Sequence, residues 1–167
     1  MPEADDVRKL TDHFKALGAN NPEQWAESQV KEGIPQYARF VFLKTAWNAV
    51  VSEGSDHWID NLIKQYERKP NDPCSGAGAA LKRMLAAGIS RQDITDIVRV
   101  MQSETLFALC YQLSDSSAVE YPSDALPQVH WALTQVTEEG EHIAEISSLH
   151  ESVLSLDPTG REMRPRE

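Results

Sequence analysis

Apolar residues in the first half of the chain recur at intervals of three and four, the spacing that lines one side of an α-helix. Val7, Leu10, Phe14 and Leu17 make the first stripe, which Gly18 and the pair Asn20-Asn21 end. Pro22 follows Asn21 as a first-turn proline follows a cap, so a second, short helix bearing Trp25 is expected to run to about Lys31. Gly33-Ile34-Pro35 is a break. A third helix over 36–52 then presents Phe40, Leu43, Trp47 and Val50 on one face, widened by Phe42, Ala46 and Ala49. Ser55 is the expected N-cap of a fourth helix with the stripe Trp58, Ile59, Leu62, Ile63 and Tyr66, ending before Pro70.

Residues 69–78 are the one linker-like stretch, and Gly76-Ala77-Gly78 within it reads as a flexible loop. A fifth helix carries Leu81, Met84 and Leu85 and closes at Gly88 as a C′ glycine. Ser90 with Asp93 resembles a capping box and opens a sixth helix to about Leu113, with Ile94, Ile97, Val98, Met101, Thr105 and Ala108 on one face. Its last two turns, 106–113, are apolar almost all round and are expected at the centre of the core. Residues 115–128 hold two prolines and several Ser and Asp residues, a loop composition.

The period then changes. Residues 131–137 are rich in strand formers, Glu138-Glu139-Gly140 has turn chemistry, and 142–146 returns as a second strand. Ser148 with Glu151 reads as a capping box for a short last helix through Val153 to Leu156, and Asp157-Pro158-Thr159-Gly160 as a type I turn. The expected fold is mainly α: a helical bundle of about six helices over 3–114, a loop over 115–128, a hairpin and short helix over 129–157, and a tail over 158–167. A single domain accommodates it, because each side of the 69–78 stretch alone would make a thin core. A lone hairpin is unstable in water, so this one must pack on the bundle or on a second copy.

Composition is ordinary for a globular chain, with 41% hydrophobic and 25% charged residues. The charge changes the picture. The net charge is −10, and up to Arg99 there are 14 acidic and 13 basic residues. Residues 100–160 then hold ten acidic residues and no Lys or Arg, and three arginines and two glutamates follow in 161–167. Such a field disfavours nucleic-acid backbones and anionic membranes and favours basic proteins or metal cations; it also keeps a protein in solution. The acidic start Met1-Pro2-Glu3-Ala4-Asp5-Asp6 lacks the regions of a signal peptide, and no apolar stretch reaches membrane-spanning length, so a cytoplasmic location is expected. Cys74 and Cys110 match no metal-ligand spacing, and Cys110 reads as a small core residue.

The string Leu149-His150-Glu151-Ser152-Val153-Leu154, with Asp157-Pro158-Thr159-Gly160-Arg161-Glu162-Met163-Arg164-Pro165 after it, resembles the ending of a bacterial protein family without assigned function. Ala87-Gly88-Ile89-Ser90 and Val98-Arg99-Val100-Met101-Gln102 are similar to that family's middle. The resemblance covers about half the chain and implies a small bacterial cytoplasmic protein. It carries no functional residues across.

Catalytic signatures are missing: there is no P-loop, no GxSxG and no HExxH. Ser55-Asp56-His57 are sequence neighbours whose side chains point apart, which a nucleophilic triad cannot use. Glu104 is the candidate catalytic residue, a carboxylate on the shoulder of the sixth helix's stripe whose pKa would rise if it were desolvated; pairing with an arginine is the alternative. His130, His142 and His150, with Glu138, Glu139, Glu141, Glu145 and Glu151, are candidate ligands for a divalent metal, because imidazole and carboxylate suit such ions. Solvation of an acidic hairpin explains the same residues. Trp47 and Trp58 belong to the core; Trp25 and Trp131 belong to it or anchor a partner.

The leading expectation is a non-enzymatic protein-interaction module with no cofactor, binding a basic protein partner through its acidic C-terminal half. Tyr121, Trp131, Glu138, Glu139 and Glu141 would be the contact residues. The alternative is a divalent-metal-binding protein or metal-dependent enzyme using the hairpin histidines. A homo-oligomer formed through the apolar helices is compatible with either.

Overall fold

Six α-helices and one antiparallel hairpin form among the described residues, so the chain is mainly helical as its periodicity predicts. The structure is a computed structural model that describes residues 2–118, 120–123 and 126–166. Val119, Asp124 and Ala125 of the expected loop, Glu167 of the tail and Met1 lie outside the described residues. The helices are α1 (Pro2–Ala16), α2 (Pro22–Glu32), α3 (Gln36–Ala46), α4 (His57–Arg68), α5 (Gly76–Ala86) and α6 (Arg91–Ser114). The strands are β1 (Thr134–Val136) and β2 (His142–Glu145). No helix among the described residues is long and apolar enough to cross a membrane.

The chain divides into two compact units, one of Met1–Trp47 with Thr105–Glu167 and one of Asn48–Glu104. In the first, α1 and α2 pack together around Phe14, Ala26 and Phe40, with Val7, Leu10, Leu17, Trp25, Tyr37 and Leu156 against them. Trp25 stacks on Phe14 with 6.0 Å between ring centroids and meets Phe40 edge-on at 5.4 Å, so it is a core residue. The α1 helix ends as its apolar stripe does: Ala19 N–H donates to Phe14 and Gly18 N–H to Lys15, the paired bonds that close a helix over an αL residue. The Lys44 ammonium donates to the Leu17 carbonyl just beyond.

The C-terminal segment is tied to α3 by two buried side chains. Arg39, 4% exposed, donates through one guanidinium nitrogen to Ser148 O at 2.6 Å and Ser152 Oγ at 3.0 Å. Burial pulls this guanidinium below its usual range, and Glu151, 3.9 Å away, opposes the shift. Trp47 donates its indole N–H to Val153 O at 2.8 Å. Leu149 and Val153 are fully buried. The expected last helix is instead two 3₁₀ turns, Leu149–Ser152 and Leu154–Leu156, and Ser148 makes no side-chain cap. The reason is local: Ser148 adopts φ 51°, and its carbonyl faces Arg39.

The second unit is built on Ile59, Leu81 and Ile94, with Trp58, Leu62, Ile63, Met84, Leu85 and Val98 packed on them. The glycine pair expected as a loop is the first turn of α5. Gly78 lies so close to α4 that a Cβ there would meet Leu62 O at 2.4 Å and Tyr66 Cβ at 2.6 Å, so this glycine sets helix contact. Gly88 closes α5 as expected, its N–H donating to Leu85 and that of Ile89 to Met84. Ser90 Oγ accepts the Asp93 N–H at 3.0 Å, the first half of a capping box. Asp56, not Ser55, is the N-cap of α4.

Two expectations about long helices are corrected. The third helix stops at Ala46 and continues only as a 3₁₀ turn, Trp47–Ala49, rather than reaching residue 52. Arg99 donates to Val51 O, and the Val51 N–H donates to Gln102 Oε1 at 2.8 Å, so side chains of α6 take the backbone groups that a longer helix would have used. The end of α6 is not the centre of a core: Phe107, Leu109 and Tyr111 are 41%, 52% and 41% exposed, and Cys110 alone among them is buried. Of the expected stripe Ile94 is buried and Val98 half-buried, whereas Ile97, Met101, Thr105 and Ala108 are exposed. A helix apolar all round has no unique inward face by pattern, and here small and polar residues such as Thr95, Arg99 and Ser103 take the buried positions.

Candidate functional site

The hairpin carries the turn glutamates Glu138, Glu139 and Glu141 and the candidate ligand His142. Its strands pair Thr134 with Glu145, Gln135 with Ala144 and Val136 with His142, leaving Ile143 as an extra residue, a bulge in β2. Thr137 N–H donates to Glu141 O at 2.9 Å and Gly140 N–H to Thr137 O at 3.0 Å, closing the turn expected at Glu138-Glu139-Gly140. Strand alternation sorts the side chains. Leu133, Gln135 and Ala144 are half-buried and Ile146 is buried, so they form the inner face. Thr134, Val136, Ile143 and Glu145 are exposed on the outer face, Val136 and Ile143 at 50% each.

Glu138, Glu139 and Glu141 are all exposed around the turn. They stand in a run without a cation over residues 100–160, so the surface they make is acidic. Trp131 is 37% exposed and anchored: its indole N–H donates to Gln112 O at 2.8 Å. Tyr121 is half-buried, and its hydroxyl accepts the Val129 N–H at 2.8 Å. These two aromatics therefore hold the chain entering β1 against the end of α6 and the loop. Trp131 also keeps part of its ring free.

At the loop's start Asp115 accepts the Ser117 N–H at 2.9 Å and the Ser117 hydroxyl at 2.6 Å, and these bonds hold its carboxyl below the usual range.

The candidate metal ligands are not brought together. His130 is exposed, with Nδ1 3.3 Å from Ser116 Oγ. His142 is exposed on β2. His150 is wedged edge-on between aromatic rings, 5.7 Å from Phe107 and 4.8 Å from Tyr111 between centroids, with Nδ1 buried. Among the described residues no group of three or more His, Cys, Asp or Glu side chains could hold a metal ion. Glu104 is exposed on α6, so the desolvation that made it a catalytic candidate is absent. Cys74 and Cys110 are both free thiols.

Comparison with protein-family models, with curated proteins and with solved structures finds no match to this chain. Val136 and Ile143 are exposed apolar residues of the hairpin that a search for charge and large aromatics misses. Their signal lay in strand period: with Leu133 and Ile146 turned inward, Val136 and Ile143 fall on the opposite face.

Proposed function

We propose that this chain is a non-enzymatic protein-interaction module that binds a basic protein through its acidic C-terminal half. The observation that supports this most is the hairpin. It exposes Glu138, Glu139, Glu141 and Glu145 around apolar Val136 and Ile143, and Trp131, three residues before β1, is partly exposed. Apolar area rimmed by one sign of charge suits a docking surface, because burial supplies affinity and charge selects and steers the partner. The lack of a catalytic signature fits the same role. The acidic field is unfavourable for nucleic acid and for anionic membranes. The resemblance in 149–165 adds the expectation of a small bacterial cytoplasmic protein.

The test is binding to poly-lysine by wild-type protein and by the triple variant Glu138→Gln/Glu139→Gln/Glu141→Gln. Wild type should bind at about 50 mM NaCl and release at about 500 mM, where charges are screened beyond a few ångströms. The variant should bind several-fold more weakly at low salt. Binding that ignores both salt and the three glutamates would sink the proposal.

A further inference from the structure

The hairpin offers a free strand edge as well as an acidic surface. Among the described residues the sheet has two strands. Ile146 N–H donates to Leu133 O at 2.7 Å, which makes that pair a bonded one. Bonded and non-bonded pairs alternate along an antiparallel ladder, so Thr134, opposite Glu145, turns its N–H and C=O away from β2. Thr137 N–H is bonded again, to Glu141 O, so Val136 likewise faces outward. Thr134 and Val136 thus present two sets of backbone donors and acceptors at β1's outer edge, with both side chains exposed.

Exposed edges are commonly blunted by lysine, proline or a bulge. Thr134-Gln135-Val136 contains no lysine and no proline, and the bulge is at Ile143 in the other strand. The edge left regular is β1's. On the outer face beside it lies the exposed apolar pair Val136 and Ile143. At its far end stand Glu138, Glu139 and Glu141.

We infer that β1 accepts an extended segment of a partner protein as a third strand, and that this segment alternates basic with apolar side chains. Resting on the interaction reading above, the inference specifies the partner's conformation and its chemistry. Main-chain bonds to Thr134 and Val136 hold the segment, its apolar side chains cover Val136 and Ile143, and its cations meet the turn glutamates. A second copy of this chain is the wrong occupant. It would bring its own Glu138, Glu139 and Glu141 to the same place, and residues 100–160 contain no cation to offset them.

The test uses the full chain, ¹⁵N-labelled, titrated with the capped hexapeptide Lys-Val-Lys-Val-Lys-Val and with Lys-Gly-Lys-Gly-Lys-Gly, of equal charge and poor strand propensity. The valine peptide should move amide signals over 131–145 and bind roughly tenfold more tightly than the glycine peptide. Thr134→Pro, which removes an outward N–H where an edge strand tolerates proline, should weaken the valine peptide by about the same factor and leave signals outside the hairpin in place. Val136→Lys, which keeps the backbone, should weaken it too. Equal binding of the two peptides, or indifference to both variants, would overturn the strand inference and leave the acidic-surface reading standing. No salt-sensitive binding of either peptide would overturn both. Hairpin signals that move with protein concentration alone would assign the edge to a second copy and also overturn the inference.

Discussion

At the scale of single residues, burial decides chemistry more than residue type does. Cys110 is 1% exposed, and desolvation of its thiolate pushes the thiol up to about 11. Cys74 is exposed. Brief treatment of the native protein with iodoacetamide near neutral pH should therefore alkylate Cys74 alone, and both thiols once urea is added; native labelling of Cys110 would contradict the burial. Asp157 is 2% exposed, and its carboxylate accepts the Thr159 N–H at 3.1 Å, the Thr159 hydroxyl at 2.5 Å and the Met163 N–H at 2.9 Å. The tail wraps this group at a backbone cost, with Glu162 and Met163 at φ 54° and 61°. Asp157→Ala strands these donors and should destabilise the protein by about 2–3 kcal/mol in urea unfolding. An unchanged midpoint would mean that the wrapped turn carries no stability.

At the scale of elements, close approach and side-chain anchors fix what periodicity leaves open. Alanine in place of a helical glycine ordinarily stabilises by about 0.5–1 kcal/mol. Gly78→Ala should do the reverse, because the new methyl would lie 2.4 Å from a backbone oxygen of α4; a loss of about 1–3 kcal/mol is expected. Gly76→Ala, with nothing within 4 Å, is the matched control and should be neutral or mildly stabilising. Similar melting temperatures for the two variants would refute the packing argument. Arg39→Met retains the apolar stem and removes the bonds to Ser148 and Ser152. It should cost about 2 kcal/mol. Hydrogen exchange over 149–156 should quicken more than exchange in α1; uniform protection would show that Trp47 and the buried Leu149 and Val153 suffice.

For the molecule as a whole, the net charge of −10 sets the response to salt. Like charges repel most in the compact state, and the run over 100–160 contains ten acidic residues and no Lys or Arg. Raising NaCl from about 20 to about 200 mM shortens the screening length from about 20 to about 7 Å, so the thermal midpoint should rise by a few degrees. The exposed ion pairs oppose this weakly: Lys15 with Glu23 and Lys82 with Glu67 are about half exposed on both sides, and pairs of that kind contribute little. A midpoint that falls with salt would mean that ion pairs outweigh self-repulsion.

The sequence by itself determined the local structure. Stripes at three and four placed the helices, Gly18 and Gly88 ended two of them, Ser90 opened another, and the switch to strand formers after residue 130 placed the hairpin. All of these depend on residues within a turn or two of each other, so the pattern carries them. The acidic, cation-free stretch and the turn glutamates were legible for the same reason, since charge needs no neighbour to be read. Tertiary structure alone decided which face of α6 is buried, because apolar residues lie on nearly every side of its last turns and only contacts choose among them. It also decided where α3 stops, through Arg99 and Gln102 taking the backbone of Val51, and that Ser148 leaves the helical region with its carbonyl facing Arg39. The candidate site divides in the same way. Composition pointed to the hairpin and its register turned the backbone of Thr134 and Val136 outward, whereas the separation of His130, His142 and His150 and the exposure of Glu104 were decided by packing, which no local pattern encodes.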